Sequence, residues 1–214
     1  MKAFIIGYNR LDYIQYTVEW CLSHGLEAIV IDNHSNYPPL LRYYNTSPCQ
    51  VIRLLKNYGH TVMWSGAVPI PNERYILTDP DLDYTGIPDD FLSVLNEGLD
   101  RYSSYPKCGF SIEIKDLPQH PDIERILTIW ERAYWTKPLD PVYFHADTDT
   151  TFALYREGWN SHDYSGIRTN YPYVMRHRPW YTIGQEQIPD DEQYYYRTAN
   201  DSATWKKHFN GGIK

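Results

Sequence analysis

The sequence predicts an α/β fold with a mostly parallel central sheet in a first half, about residues 1–105, and a smaller mixed half, about 106–214. Three observations carry this. Short apolar runs of strand length alternate with helix-period segments through the first half. Each of those runs ends in a polar cluster. The second half then changes rhythm, with two-residue alternation and shorter, more polar segments. No internal repeat or linker interrupts the chain, so the two halves form one domain.

Ala3–Ile6 reads as a buried strand, closed by Gly7-Tyr8-Asn9-Arg10. Leu11, Ile14, Val18 and Cys21/Leu22 recur at helical spacing, and His24-Gly25 ends that helix. Ala28–Ile31 is a second buried strand, followed by Asp32-Asn33-His34-Ser35. Pro38–Tyr44 reads as a short helix, with prolines at the position where a missing N–H costs nothing. Val51–Leu55 is a third strand before Asn57-Tyr58-Gly59, and Tyr75–Leu77 a fourth that runs into Thr78-Asp79-Pro80-Asp81. Repeated βα units of this kind build a parallel sheet covered by helices.

In the second half, Cys108–Ile114 alternates apolar and polar residues, which predicts a half-exposed strand. Ile123, Ile126/Leu127, Trp130 and Tyr134 predict one amphipathic helical stripe. Val142–Phe144 and Thr150–Tyr155 read as strands around an acidic turn, and Asp190–His208 as a polar, tyrosine-rich helix.

The 214 residues carry 27 acidic and 20 basic side chains, a formal charge of −7, which argues against a nucleic-acid partner. No apolar run approaches the ~20 residues of a membrane span, so membrane insertion is not expected. A secretory leader is missing, and Cys21, Cys49 and Cys108 are too scattered for a metal site, so a reducing, cytoplasmic setting is expected. The 21 tyrosines and 7 tryptophans suit stacking on sugars or bases, or simply a tyrosine-rich core.

In open α/β sheets, ligands sit beyond the carboxyl ends of the strands. Asn9-Arg10, Asp32-Asn33, Asn57 and Asp79-Pro80-Asp81 all fall there, which predicts one crevice, although Asn and Asp also serve ordinary turns. The glycine-rich dinucleotide and P-loop patterns are absent, as are the zinc-protease and hydrolase-elbow motifs. Asp79 and Asp81, two apart after a buried strand, can share a hard divalent cation that bridges diphosphate oxygens. A bare Asp-x-Asp is weak by itself, since Asp147-Thr148-Asp149 has the same form.

Taken in order, Gly-Tyr-Asn-Arg, Asp-Asn-His-Ser, Asn-Tyr-Gly and Leu-Thr-Asp-Pro-Asp resemble a GT-A glycosyltransferase of the family-2 type. Asp149-Thr-Thr-Phe-Ala-Leu-Tyr and His177-Arg-Pro-Trp-Tyr181 extend the resemblance over about residues 3–208. It implies a Rossmann-like half for a UDP-sugar donor, a second half for a glycan acceptor, and transfer of a hexose or deoxyhexose with inversion. It also implies that Asp32 accepts from the uracil ring, Tyr8 lies against base or ribose, and Asn57 lines the nucleotide crevice. Arg10 is expected near the phosphates or holding Asp32, Arg178 or its neighbour Arg176 near the departing diphosphate, Asp79 near ribose and metal, and Asp81 and His177 as ligands of Mn²⁺ or Mg²⁺. Asp149 is the candidate base that takes the acceptor proton, with Asp147 and Glu113 as rivals. The Glu-Asp pair and the Gln/Arg-x-x-Arg-Trp element of larger members are absent, which disfavours a processive polymerase. Two other classes stay open: a non-catalytic nucleotide-sugar or carbohydrate module, and a sugar nucleotidyltransferase.

Overall fold

The computed structural model describes residues 1–183, 185 and 187–200. Its first strand, β1 (Lys2–Gly7), is flanked by β2 (Glu27–Asp32) and β4 (Tyr75–Thr78), both parallel to it, and β3 (Gln50–Arg53) extends the sheet beyond β2. The helices α1 (Leu11–Ser23) and α2 (Pro38–Tyr44) make the connections between these first strands. Apolar side chains on both faces explain the strength of the runs at β1, β2 and β4. Ala3, Ile5, Ala28, Val30 and Ile76 face the larger core with Ile14 and Val18 of α1. Phe4, Ile6, Ile29, Ile31 and Leu77 face a second cluster, closed by Val62 and Met63 of a 3₁₀ segment at Gly59–Trp64. A strand buried on both sides needs no alternation, so these runs are continuous.

The second half continues the same sheet. β9 (Ala153–Tyr155) runs antiparallel between β4 and β6 (Lys107–Gly109). β10 (Ile167–Thr169) is parallel to β6, and β8 (Tyr143–His145) forms the antiparallel edge. The order is therefore β3-β2-β1-β4-β9-β6-β10-β8. Only β9 and β8 oppose the other six, so the sheet is mostly parallel. Helix α3 (Phe91–Arg101) packs on β6, and the larger core cluster runs unbroken from β1 into the second half.

A small second sheet places the chemistry. β5 (Leu82–Asp83) and β7 (Ser111–Ile112) flank β11 (Val174–His177), in the order β5-β11-β7. The antiparallel register pairs His177 with Leu82 and Arg176 with Asp83. Because β5 begins immediately after Asp81, that register brings His177 beside it.

The second half departs from expectation in several places. Cys108–Ile114 is not one half-exposed strand: it breaks at Phe110, β6 joins the large sheet and β7 the small one, and residues 107–112 are all buried. The expected helical stripe is also interrupted. α4 (Pro121–Ile126) passes through a π-helical turn at Leu127–Glu131 into α5 (Arg132–Tyr134). A π turn bonds i to i+5 and so inserts an extra position into the helix. Trp130 is thereby turned outward, 42% exposed, and Glu131 takes the buried place. Strands β3 and β9 are shorter than expected, with Leu55 on the surface and Asp149 in the loop before β9. The final helix, α7, spans Asp190–Thr198, and the rest of the expected helix, 201–208, lies outside the described residues. The helix after β11 is α6 (Arg178–Thr182). All three cysteines are free thiols, and among the described residues no helix is long and apolar enough to cross a membrane.

Gly98 shows how tightly α3 seats. A Cβ there would lie 2.8 Å from the Tyr143 ring and 2.9 Å from Cys108 Sγ. Helix propensity favours Gly98→Ala by about 1 kcal/mol, but overpacking of a dense core typically costs 1–3 kcal/mol. The substitution is expected to lower stability by about 1 kcal/mol, read from the urea midpoint at unchanged slope.

Candidate functional site

A cavity of about 660 Å³ opens over the carboxyl ends of the parallel strands. Tyr8 and Arg10 reach it from the end of β1, Asn33 from β2, Asn57 and His60 from β3, and Asp79 and Asp81 from β4. The four polar strand ends therefore do share one crevice. The second half supplies the facing wall: Asp147, Asp149 and Thr150 before β9, Arg168 of β10, Glu131 of the π turn, and His177 of β11.

Backbone turns aim these groups. Asn9 adopts φ 54° and is fully buried, a left-handed conformation that Asn tolerates better than most residues. Its Oδ1 accepts from the N–H groups of Asn36 and Tyr37 at 2.8 and 2.9 Å, locking the end of β1 to the loop after β2. Asn33 does the same for the next strand, donating to Gly59 O and accepting from Tyr58 N–H.

At the centre lies a buried chain of charges. Arg10 Nη1 donates to Asp81 Oδ2 at 2.5 Å, and His177 Nε2 stands 3.5 Å from the same oxygen. On its other side Arg10 meets Glu192 of α7, with Nη2 donating to Oε2 at 3.1 Å, and the Tyr195 ring lies 3.7 Å from the guanidinium carbon. Asp81 Oδ1 is buried and has no hydrogen-bond partner among the described residues. Burial alone would raise the Asp81 carboxyl, but His177 and Arg10 hold it below the ordinary value. Asp79 is moved the opposite way, well upward, by burial and by the charges of Asp81 and Asp149. Its Oδ2 accepts from Thr150 Oγ1 at 2.7 Å, and Thr150 N–H donates to Asp149 Oδ1 at 2.9 Å. Thr150 thus connects the aspartates of the two halves. Burial lowers the His177 pKa, against the pull of Asp81, so the ring is neutral near pH 7.

Two expected site residues stand elsewhere. Asp32 is fully buried and does not line the cavity. The turn after β2, with His34 at φ 68°, folds Ser35 back so that its N–H meets the Asp32 carboxylate at 3.3 Å. Tyr44 Oη and Arg53 Nε donate to it at 3.3 and 3.2 Å. Arg178 is drawn outward as well, its guanidinium 4.2 Å from the Tyr13 ring and 5.2 Å from Tyr16. Its contribution to the site is through the backbone, where its N–H donates to Asp81 O at 2.9 Å.

Glu192, Tyr195, Arg168 and Glu131 carry no sequence signal of their own. α7 crosses the end of β1 as a strap: besides Glu192, Asp191 accepts from Asp12 N–H, and Tyr8 Oη donates to Thr198 O. Among the described residues, no three His, Cys, Asp or Glu side chains converge on a point that could hold a metal ion as the side chains stand. Asp81 Oδ2 is instead held by Arg10.

Compared by sequence, the chain matches no protein-family model and no curated protein.

One guanidinium between two buried carboxylates can neutralise one of them. Asp81 is the ionised partner, and burial pushes the Glu192 carboxyl up to about 7 although Arg10 opposes it. The folded value lies above the unfolded one of about 4.3, so the stability from Glu192 is complete below about pH 4 and is lost as pH rises through 7. Unfolding free energies measured from pH 4.5 to 8 are expected to fall more steeply in the wild-type chain than in Glu192→Gln. The excess should be roughly 3 kcal/mol.

Proposed function

We propose that this chain is a GT-A-type glycosyltransferase that moves a hexose or deoxyhexose from a UDP-sugar to a glycan hydroxyl. The observation that supports it best is the meeting, in one cavity, of Asp79, Asp81, Arg10 and His177 at the strand ends with Asp149 on the facing wall. Such a crevice at the carboxyl edge of a mostly parallel sheet suits a nucleotide, and the second half suits an acceptor.

Asp79, Asp81 and His177 would hold Mn²⁺ or Mg²⁺ only after their side chains turn toward one another, giving two carboxylates and an imidazole. The unpartnered, buried Oδ1 of Asp81 supports that fit, because a buried acceptor left without a donor is costly. When bound, the ion supplies Lewis-acid stabilisation of the charge on departing UDP.

The remaining work falls to the protein's own groups. Tyr8 and Asn57 border the end where base and ribose lie, with Asp32 behind the β2 turn. For Asp32 to accept from uracil, the network with Ser35, Tyr44 and Arg53 must open, since it holds both carboxylate oxygens. Arg10 is the cation nearest the diphosphate end, and α7 shields it from water. Asp149 takes the proton of the acceptor hydroxyl as that oxygen attacks the anomeric carbon from the side opposite UDP, which inverts the configuration. Thr150 fixes Asp149 through its backbone N–H while its own hydroxyl holds Asp79, so base and donor end are kept in step.

Thermal unfolding with Mn²⁺, with UDP and with both tests the donor site. At ~100 times Kd, a ligand specific for the folded chain adds about 2.7 kcal/mol. A rise that requires both, and is lost in Asp81→Ala, is expected; no rise with any nucleotide sinks the transferase reading. Released UDP, rather than pyrophosphate, separates glycosyl from nucleotidyl transfer. Asp149→Asn should keep the Mn²⁺/UDP shift and lower kcat by roughly 10²–10⁴. A variant with undiminished kcat would remove Asp149 as the base.

A further inference from the structure

Arg168 and Glu131 both line the cavity, yet they are 3% and 5% exposed. Withdrawing two charges from water is costly unless good geometry repays it, and here the geometry is incomplete. Nη1 alone of the guanidinium reaches Glu131, at 3.3 Å to Oε1 and 3.1 Å to Oε2. Nε is buried without a hydrogen-bond partner among the described residues. The guanidinium carbon sits over the Tyr134 ring, 4.5 Å from its centre. Glu131 owes its inward position to the π turn, a helical defect found disproportionately at functional sites. The pair is thus fixed in place with hydrogen-bonding capacity left over beside an open cavity.

Its surroundings narrow the ligand. Trp130 and Tyr164 also line the cavity and are 42% and 47% exposed, so aromatic surface is available to a partner. Asp147 and Asp149 lie there too, so this lining carries three carboxylates to one guanidinium, with the buried Lys107 ammonium in range of both aspartates. A sugar hydroxyl donates and accepts at once: it can give its proton to Glu131 while taking one from Arg168. Neighbouring hydroxyls match a carboxylate and a guanidinium side by side, and the C–H face of a pyranose suits an aromatic ring. An anionic ligand would meet the excess of negative charge.

We propose that this end of the cavity binds an uncharged pyranoside, with the Arg168–Glu131 pair reading adjacent hydroxyls and Trp130 covering the ring. Its role as the acceptor subsite rests on the transferase reading, whereas the binding does not. The site selects neutral sugars and rejects uronates.

Saturation-transfer NMR on the full chain tests this, using methyl β-D-glucopyranoside, methyl β-D-galactopyranoside and methyl α-D-mannopyranoside against methyl β-D-glucopyranosiduronic acid, with and without Mn²⁺ and UDP. At least one neutral glycoside is expected to bind, and the uronate about tenfold more weakly or not at all, a difference of about one tenfold step in Kd. Trp130→Ala, at a half-exposed position and so compatible with folding, should weaken the neutral glycoside about tenfold and keep the Mn²⁺/UDP thermal shift. Binding of none of the neutral glycosides, uronate binding as tight as neutral binding, or unchanged affinity in Trp130→Ala would each overturn the proposal. Saccharide binding without any Mn²⁺/UDP shift supports the subsite and overturns the transferase reading instead.

Discussion

The buried carboxylate of Asp81 is the junction on which the site depends. Arg10 reaches it from the end of β1, His177 from β11, and Arg178 N–H donates to its backbone carbonyl from the start of α6. Through Arg10 it is also coupled to Glu192 and Tyr195 of α7. Three separate stretches of chain therefore converge on one residue. A single ionised carboxylate at this depth is tolerable only because cationic and polar groups surround it. Once Asp81 is placed, the positions of the others follow from ordinary register and turn geometry.

Asp79 and Asp81 differ chemically although only a proline separates them. Arg10 and His177 hold the Asp81 carboxyl below its ordinary value, whereas burial and two neighbouring carboxylates push that of Asp79 well upward against its hydrogen bond from Thr150. The chain bends at Pro80, and one side chain meets Arg10 of the first half while the other meets Thr150. Two identical side chains are thereby given opposite shifts by their surroundings.

β1, β2 and β4 are legible in the sequence because burial on both faces leaves unbroken apolar runs, and their polar ends are legible because strand ends in a parallel sheet share one edge. The second half is less so. Alternation at Cys108–Ile114 imitates a half-exposed strand, but the chain there passes from one sheet to another and both faces are covered. Trp130 follows helical spacing in the sequence, and the π turn moves it outward, since spacing assumes an unbroken helix. Arg178 belongs to a basic cluster that looks like a phosphate site, yet two tyrosine faces on α1 hold it. Glu192 gave no signal because its meaning comes from Arg10, 182 positions earlier.

That separation has a consequence for how the molecule is made. β1 leaves the ribosome before every other described strand, and the helix that seals Arg10 is the last described element of the chain. The nucleus of local βα units can form early, since its contacts are short in sequence. Arg10 must meanwhile remain solvated, and the cavity cannot take its final shape until α7 docks. Site assembly then follows synthesis of all the described strands and is distinct from collapse of the sheet, and a nascent chain halted before residue 190 would carry the sheet with an open, hydrated site.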